Sequence, residues 1–366
     1  MKAICSRSEL RDALRIVSGV VDPRNIKPIL KDIRIRTAEG GLELSATDLE
    51  VGIKYFVRDV EVGSEGGIVI PADPLNGIVS ESREERLALS VKDSVLVVEG
   101  QGSTFSIMGV SEEDFPDIPD FPTEKCLDIE GLILGEMIEK TIFAVAVEKQ
   151  RYALNGILLE AKEKSPRLVM VGTDGRRLAM IKRKANAASP FSCSAIVPVK
   201  ALHQLQKMAG GEEMVKINVM ERQVLFRTED AVLVAQLVEG RFPPYREVVP
   251  DDYDRKLEIS SAEFANALRQ AAVLSARESR AVCISLKKDS MLVESSSAEA
   301  GEAHVEVSVK FEGEPLEIRF NSDFLLDGLK VTGDEPVRFE MKDAARAAVM
   351  KTSGDYLYLV MPITQD

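Results

Sequence analysis

Hydrophobic and polar positions recur with two different periods along this chain, and the same succession of patterns occurs three times. Each occurrence opens with a polar cap and an amphipathic helix whose apolar residues lie three and four apart. The predicted helices span Ser6–Val21, Leu134–Glu148 and Ser261–Leu274. The period then changes to two, which predicts short strands separated by glycine or charged turns.

Two further features follow each of these helices in the same order. A strand leads into a turn rich in Thr, Asp or Ser, at residues 42–48, 168–174 and 291–295. A second helix is predicted beside Pro71, Pro198 and Asn321. Its apolar anchors, Leu75, Leu202 and Leu325, are separated by 127 and 123 residues. The chain therefore reads as three degenerate copies of one unit.

Two proline-rich segments separate the copies, residues 114–123 (the first join) and 241–250 (the second join). Each contains a Phe-Pro pair, and the two pairs lie 127 residues apart. Such segments can continue neither a helix nor a central strand. We therefore expect an α+β fold of three repeats, each with two helices packed on an antiparallel sheet. The predicted repeats span 1–122, 123–250 and 251–366.

Composition excludes several classes of protein. The 366 residues are 45% hydrophobic, and no apolar run is long enough to cross a membrane. We therefore expect a cytoplasmic protein with no membrane partner. The four cysteines form no CxxC pair and are expected to be buried free thiols. With two histidines in the chain, no catalytic residue, metal site or cofactor is predicted.

The net charge of −13 argues against a nucleic-acid partner until the positions of the cations are considered. Basic residues lie four apart on the first helix, and every copy places basic residues on its helices. The candidates for contact with DNA are Arg7, Arg11, Arg15, Arg24, Lys140, Lys149, Lys200, Lys207 and Arg269. For one helix alone, a solvated surface explains such a pattern. Its recurrence in three copies predicts a common surface that contacts phosphates without reading bases.

Four short motifs occur in the second and third copies. They are Arg-Tyr-Ala-Leu-Asn-Gly at 151–156, Thr-Asp-Gly-Arg-Arg-Leu-Ala at 173–179, Glu-Gly-Arg-Phe-Pro-Pro-Tyr at 239–245 and Tyr-Leu-Val-Met-Pro-Ile at 358–363. In order and spacing they resemble the motifs of bacterial DNA polymerase III β subunits, the β sliding clamps. The resemblance covers the whole chain, including residues 46–50 of the first copy. It implies a head-to-tail homodimeric ring of six repeats whose helices face double-stranded DNA.

The resemblance also implies a processivity factor of DNA replication, which is not an enzyme. Its partners would be the DNA polymerase III α subunit, other polymerases and the clamp loader, bound through peptides in a pocket between the second and third repeats. Carried over to this sequence, the pocket residues are Leu154, Thr173, Gly175, Arg176, Arg177, Leu178, Pro243, Glu247, Val248, Val360, Met361, Pro362 and Ile363.

This chain departs from the family at the rim of that pocket. The family often has His at the position of Arg176 and a basic residue at that of Glu247. Its tail commonly ends in Arg-Leu, whereas this chain ends Thr364-Gln365-Asp366. The apolar floor is expected to be retained. For the dimer, the resemblance places Phe105 and Ile107, on an apparent edge strand, against Val273 and Leu274 of the other copy.

Other classes of protein fit part of the pattern. An enzyme could use Asp174, Arg177 and His203, but the chain lacks a nucleophile elbow, a phosphate-binding glycine loop and paired metal ligands. A protein-only repeat scaffold without DNA encirclement would share the fold and the acidity, yet would need no basic helix faces. The Thr-Asp-Gly motif taken alone could also be only a tight hairpin turn.

Overall fold

The computed structural model describes residues 1–148, 152–163, 165–187, 190–211, 213–250 and 252–364. Within these ranges the helices are α1 (Arg7–Val17), α2 (Ala72–Glu81), α3 (Gly131–Ile142), α4 (Val199–Met208), α5 (Ser261–Ala272) and α6 (Ser322–Lys330). All six predicted helices are therefore present. None of the helices in the described ranges combines the length and the apolarity needed to cross a bilayer.

Three helices differ in extent from the prediction. α1 ends before residue 18 and α5 before residue 273, and α3 begins and ends earlier than Leu134–Glu148. Beyond α3, the carbonyl oxygen of Phe143 accepts a hydrogen bond from the Arg177 guanidinium (2.9 Å). The helix does not continue there, since the amide of Ala146 donates to the carbonyl oxygen of Leu154 (3.0 Å) and not to a carbonyl oxygen one helical turn before it.

The second helices of the three copies begin where the sequence predicts. α2 and α4 start directly after Pro71 and Pro198. α6 is capped by Asn321, whose side-chain oxygen accepts hydrogen bonds from the amides of Asp323 (2.9 Å) and Phe324 (3.3 Å). These bonds satisfy two of the amides that a helix start leaves unpaired.

Antiparallel strands make up most of the remaining described chain. The first fourteen are β1 (Lys2–Ser6), β2 (Asp32–Ala38), β3 (Gly41–Thr47), β4 (Val51–Val57), β5 (Val60–Ser64), β6 (Gly67–Pro71), β7 (Arg86–Lys92), β8 (Val95–Gly100), β9 (Ser103–Met108), β10 (Leu127–Glu130), β11 (Gly156–Lys162), β12 (Ser165–Thr173), β13 (Arg177–Lys184) and β14 (Asn186–Ala187). The others are β15 (Cys193–Pro198), β16 (Met214–Val219), β17 (Gln223–Arg227), β18 (Ala231–Gln236), β19 (Arg255–Ser260), β20 (Ala281–Lys287), β21 (Ser290–Ser297), β22 (Gly301–Ser308), β23 (Lys310–Glu312), β24 (Leu316–Asn321), β25 (Pro336–Met341), β26 (Ala348–Lys351) and β27 (Tyr356–Val360). Short 3-10 turns lie at Pro28–Lys31, Tyr152–Leu154 and Tyr245–Glu247.

The chain divides into two compact units. Unit 1 consists of Met1–Gly135, Ala185–Phe191 and Lys200–Leu237. Unit 2 consists of Glu136–Lys184, Ser192–Val199 and Val238–Asp366. Residues of the predicted second repeat occur in both units, so the division at residues 122 and 250 stays a prediction.

Unit 1 contains two antiparallel sheets, with strand orders β5-β1-β7-β8-β9 and β14-β10-β16-β17-β18-β4-β3-β2-β6. α1 packs on α2, β3 and β4. The predicted apolar stripe of α1 is fully buried and consists of Leu10, Leu14 and Val17. β4 pairs with β18, so strands from the first and second copies share one sheet.

The first join packs on unit 1 through its apolar side chains. One buried cluster contains Val69, Phe115, Ile118, Phe121, Leu225, Val232 and Val234. The buried guanidinium of Arg34 lies 4.8 Å from the centroid of the Phe115 ring and pairs with the buried carboxylate of Glu43 (3.2 Å). Two buried charges are tolerated here because each is the other's partner.

Unit 2 also contains two antiparallel sheets, with strand orders β15-β11-β12-β13-β27-β26-β25-β19-β23 and β22-β21-β20-β24. α5 packs on α6, β21 and β22. Its predicted core stripe is buried and consists of Phe264, Ala267, Leu268 and Ala271. β13 pairs with β27, so strands from the second and third copies share one sheet.

The four cysteines are free, but the expectation that all are buried holds only for Cys5. Burial raises the pKa of the Cys5 thiol to about 12. Cys126, Cys193 and Cys283 are half-buried.

Candidate functional site

The Thr-Asp-Gly motif forms the turn between β12 and β13 and is held by its own side chains. The Thr173 hydroxyl donates to the carbonyl oxygen of Arg177 (2.6 Å) and accepts from the amide of Gly175 (3.1 Å). Asp174 Oδ1 accepts from the amides of Arg176 (2.8 Å) and Arg177 (3.0 Å). Gly175 has a φ of 88°, a conformation that favours glycine. The motif is a tight turn that leaves Gly175 and Arg176 exposed.

Arg177 follows this turn, and its guanidinium is occupied by the protein itself. It donates to Asp174 (3.0 Å), to Asp327 of α6 (2.5 Å) and to the carbonyl oxygen of Phe143 (2.9 Å). It also lies 4.5 Å from the centroid of the Phe324 ring. Burial alone would lower the pKa of Arg177, but the adjacent tyrosine and carboxylates outweigh burial and raise it. With all its directions filled, Arg177 positions the turn rather than offering a free cation.

The C-terminal strand lies directly beside this turn. In the pairing of β13 with β27, Leu178 is opposite Leu359. One residue beyond the strand, the amide of Met361 donates to the carbonyl oxygen of Arg176 (2.8 Å). The structure therefore brings together two predicted pocket segments, 173–178 and 360–363, that are far apart in sequence.

The tail residues differ in accessibility. Val360 is fully buried and Pro362 is buried. Met361 is 42% exposed and Ile363 is 36% exposed. Met361 and Ile363 therefore supply the apolar surface that a partner can reach, whereas the other two form the floor beneath it. Met side chains suit such a surface because they adapt to several partners.

The second join packs against the same region of unit 2. Tyr245 is buried in one cluster with Leu178 and Leu359. Its hydroxyl donates to Glu160 (2.8 Å), and Arg246 forms an ion pair with that carboxylate (2.7 Å). Although burial would raise the pKa of Glu160, these two bonds lower it. The carboxylate thus fixes the join to β11.

Four other predicted pocket residues are less directly connected to the tail segment. Pro243, Glu247 and Val248 are exposed on the second join. Leu154 is buried, and its carbonyl oxygen accepts from the amide of Ala146 (3.0 Å). Among the described contacts, none links Leu154, Glu247 or Val248 directly to the tail segment.

A cleft of about 480 Å³ borders the tail on its other side. Its lining includes Arg319, Asp343 and Arg346 together with Ile363 and Thr364. The amide of Ile363 donates to the carbonyl oxygen of Arg319 (2.8 Å). The sequence patterns give no signal for these three charged residues. Arg319 lies on β24, whereas Asp343 and Arg346 lie between β25 and β26, and only the folding of these segments beside the tail brings the three together.

Six of the predicted DNA-facing residues are exposed. One of them, Lys200, forms a short ion pair, and the other five are Arg11, Arg15, Arg24, Lys207 and Arg269. Arg24 has a side chain that is 92% exposed, and only a loose pair with Asp22 (3.7 Å) restrains it. In unit 1, α1 and α4 approach each other where the Gln204 side chain donates to the carbonyl oxygen of Ile16. This contact places Lys207 close to the C-terminal end of α1.

The remaining predicted cations are less available. Arg7 donates to a backbone carbonyl oxygen just after α2 (2.8 Å). Lys140 pairs with a glutamate one helical turn before it (2.9 Å), and Lys200 pairs with Asp48. The charges of Lys140 and Lys200 are therefore partly neutralised within the protein, and the guanidinium of Arg7 is partly occupied. Lys149 lies outside the described residues.

The predicted dimer residues lie at sheet and helix ends. β9 is an edge strand, as expected, with Phe105 39% exposed and Ile107 buried. Val273, directly after α5, is 75% exposed and Leu274 is half-buried. β22 forms a second free edge in the sheet on which α5 packs.

Family models match the chain in three successive segments. Residues 1–119 match the N-terminal domain of the DNA polymerase III beta subunit, residues 128–244 its central domain and residues 246–364 its C-terminal domain. The order agrees with the repeats seen in the sequence.

Whole-chain relatives agree with these matches. The chain is 33% identical to the beta sliding clamp of Vibrio cholerae (99% of this chain, 100% of the relative) and 32% identical to that of Pseudomonas putida (98% of each). The crystal structure of the DNA polymerase III subunit beta from Pseudomonas aeruginosa matches with a TM-score of 0.94 at 30% identity, covering 100% of both chains. That from Thermotoga maritima matches at 0.92 and 29%, again covering 100% of both. The predicted α+β clamp fold is confirmed, and the chain belongs to the DNA polymerase III beta subunit family.

Proposed function

We propose that two copies of this chain close head to tail into a ring around double-stranded DNA in the cytoplasm. Each copy supplies three repeats, 1–122, 123–250 and 251–366, and the ring tethers the DNA polymerase III α subunit, other polymerases and the clamp loader. As a member of its family, the protein is a DNA polymerase processivity factor and not an enzyme. The match of all three domains of the beta subunit, in order along the chain, carries this proposal.

The exposed cations support contact with DNA. Arg11, Arg15, Arg24 and Lys207 in unit 1 and Arg269 in unit 2 are open to solvent, on a chain whose net charge is −13. Scattered cations on helices can contact phosphates but carry no means of reading bases. The overall acidity limits direct affinity. Encirclement, rather than tight binding, would then keep the protein on DNA.

Free strand edges support closure of the ring. β9 in unit 1 and β22 in unit 2 each lack a neighbour on one side. An unpaired edge strand is a template for another chain. Joining the edge that carries Phe105 to the region of Val273 and Leu274 in a second copy makes a heterologous contact, which closes after two copies.

The pocket of unit 2 supports tethering of partners by short peptides. Met361 and Ile363 offer apolar contact, and the exposed Arg176 offers a charge that fixes the orientation of a bound segment. Leu178 and Val360, which are buried, hold the floor in place. Peptides of different polymerases could share this site because the accessible Met361 side chain is flexible.

The first prediction tests enclosure. Once the clamp loader has closed the ring on a circular DNA, we expect retention at salt concentrations that remove direct phosphate contacts, because those contacts weaken steeply with salt. A single restriction cut should release the protein. Gel filtration of loaded circles at high salt, before and after cutting, measures both. Equal retention on circular and linear DNA would show that the protein binds DNA as a conventional binding module and does not enclose it.

The second prediction tests the dimer contact. Leu274→Ala should remove apolar burial worth about 2–5 kcal/mol at a tightly packed interface. The variant is therefore expected to be a monomer at micromolar concentration by light scattering. Leu132→Ala, at a leucine that is 53% exposed on α3, is the matched control and should remain a dimer. A dimeric Leu274→Ala protein would show that the subunits meet elsewhere.

The third prediction tests the pocket. Met361→Ala should weaken binding of a DNA polymerase III α subunit peptide by about tenfold or more, as truncation of a central apolar contact does. Since Met361 is 42% exposed, the fold should keep its thermal stability. Met220→Ala, at a methionine that is 51% exposed in unit 1, is the control. If calorimetry finds the same peptide affinity in both variants, the peptide binds at another place.

A further inference from the structure

The turn that carries the pocket motif in unit 2 occurs a second time, in unit 1, between β3 and β4. The Thr47 hydroxyl donates to the carbonyl oxygen of Val51 (3.0 Å) and accepts from the amide of Leu49 (3.0 Å). Asp48 Oδ1 accepts from the amides of Glu50 (2.9 Å) and Val51 (2.7 Å). These four bonds repeat those of the turn at residues 173–177, one for one.

The strand beside this turn repeats as well. The amide of Gln236, at the end of β18, donates to the carbonyl oxygen of Glu50 (2.8 Å). In unit 2 the amide of Met361 donates to the carbonyl oxygen of Arg176 at the same distance, 2.8 Å. Gln236 in unit 1 therefore takes the place that Met361 holds in the pocket of unit 2.

A cleft of about 200 Å³ lies at this place in unit 1. We call it the first-join cleft; its lining includes Leu49, Glu50, Asp117, Ile118, Gln223 and Gln236. Ile118 belongs to the first join, as Tyr245 belongs to the second. The cleft thus has the same construction as the pocket of unit 2: a Thr-Asp turn, the end of a paired strand and a proline-rich join.

Leu49 has an unusual conformation for its position. It has a φ of 78°, whereas the equivalent residue of the other turn, Gly175, has a φ of 88°. A bulky residue with a positive φ has a strained backbone. Strained residues of this kind cluster at functional sites. Leu49 is also 48% exposed, so its strained conformation does not serve to bury the side chain within unit 1. Its side chain is instead available at the mouth of the cleft.

The exposed charge on the turn of the first-join cleft is opposite to that on the turn of unit 2. Glu50 stands where the other turn has Arg176. Glu50 and Asp117 are exposed, and neither makes an ion pair or a side-chain hydrogen bond within the described ranges. The lining includes these two carboxylates and no basic residue. The side-chain amides of Gln223 and Gln236 likewise have no partner in that part of the chain, so they can bind the backbone of an extended peptide.

We propose that the first-join cleft is a second peptide-binding site, which takes an extended partner segment with alternating apolar and basic side chains. Alternation places the apolar side chains on one side of the segment, against Leu49 and Ile118, and the basic ones on the other. The basic side chains then lie near the carboxylates of Glu50 and Asp117. This inference does not depend on ring closure.

The test uses a fluorescein-labelled, end-capped peptide of sequence Gly-Lys-Leu-Lys-Leu-Gly and measures fluorescence anisotropy with the full-length protein at about 150 mM salt, where distant charges are largely screened. Saturable binding is expected. Glu50→Lys should weaken it by about tenfold, because one ion pair is replaced by a repulsion. Glu65→Lys makes the same charge change at an exposed glutamate outside the cleft and should alter affinity by roughly twofold or less.

A second variant separates binding from stability. Leu49→Gly should weaken peptide binding while it raises the melting temperature or leaves it unchanged, because glycine accepts the positive φ without strain. The proposal is overturned if the peptide shows no saturable binding or if Glu65→Lys and Glu50→Lys weaken it equally. It is also overturned if Leu49→Gly binds as tightly as the unmodified protein. A matched peptide with Glu in place of Lys should bind the cleft at least about tenfold more weakly.

Discussion

A single guanidinium, that of Arg177, connects the parts of unit 2 that form the proposed pocket. It reaches the turn through Asp174, α6 through Asp327, and the chain just after α3 through the carbonyl oxygen of Phe143. The tail strand then pairs with the strand that Arg177 begins. Removing the Arg177 guanidinium would break its ion pairs with Asp174 and Asp327 and its bond to the carbonyl oxygen of Phe143 at once. We propose that this network sets the position of Met361 relative to Arg176.

The same Thr-Asp turn occurs twice in the protein, with different side chains around it. A Thr-Asp turn satisfies its own amides, and the end of a strand from the next copy pairs beside it in both units. The hydrogen bonds of this turn fix its backbone, and they do not involve the exposed side chains. Those side chains are therefore free to differ, as Arg176 and Glu50 do at equivalent positions. A turn that is repeated with the same backbone and different exposed side chains can therefore give two binding sites of different specificity in one chain.

The sequence predicts the helices, the strand edge at β9 and the turn motif, because each depends on local periodicity or on turn chemistry. It does not predict where α3 ends, since the amide of Ala146 donates to the carbonyl oxygen of Leu154, outside the helix. Nor does it distinguish Arg11, which is exposed, from Arg7, which is bound to a backbone carbonyl oxygen. In the pocket, the tail residues follow from the family resemblance, whereas Arg319 reaches the tail only through packing. Properties that depend on distant contacts cannot be read from local patterns.

Replacing Arg177 with lysine tests the central claim most directly, because lysine keeps the charge but cannot donate in three fixed directions. The measurements are hydrogen exchange at the Met361 amide and affinity for a DNA polymerase III α subunit peptide, both in the full-length protein. The account predicts faster exchange at Met361 and peptide binding weakened by about tenfold, with the secondary structure retained. Exchange and affinity that both equal those of the unmodified protein would contradict the claim that Arg177 positions the pocket.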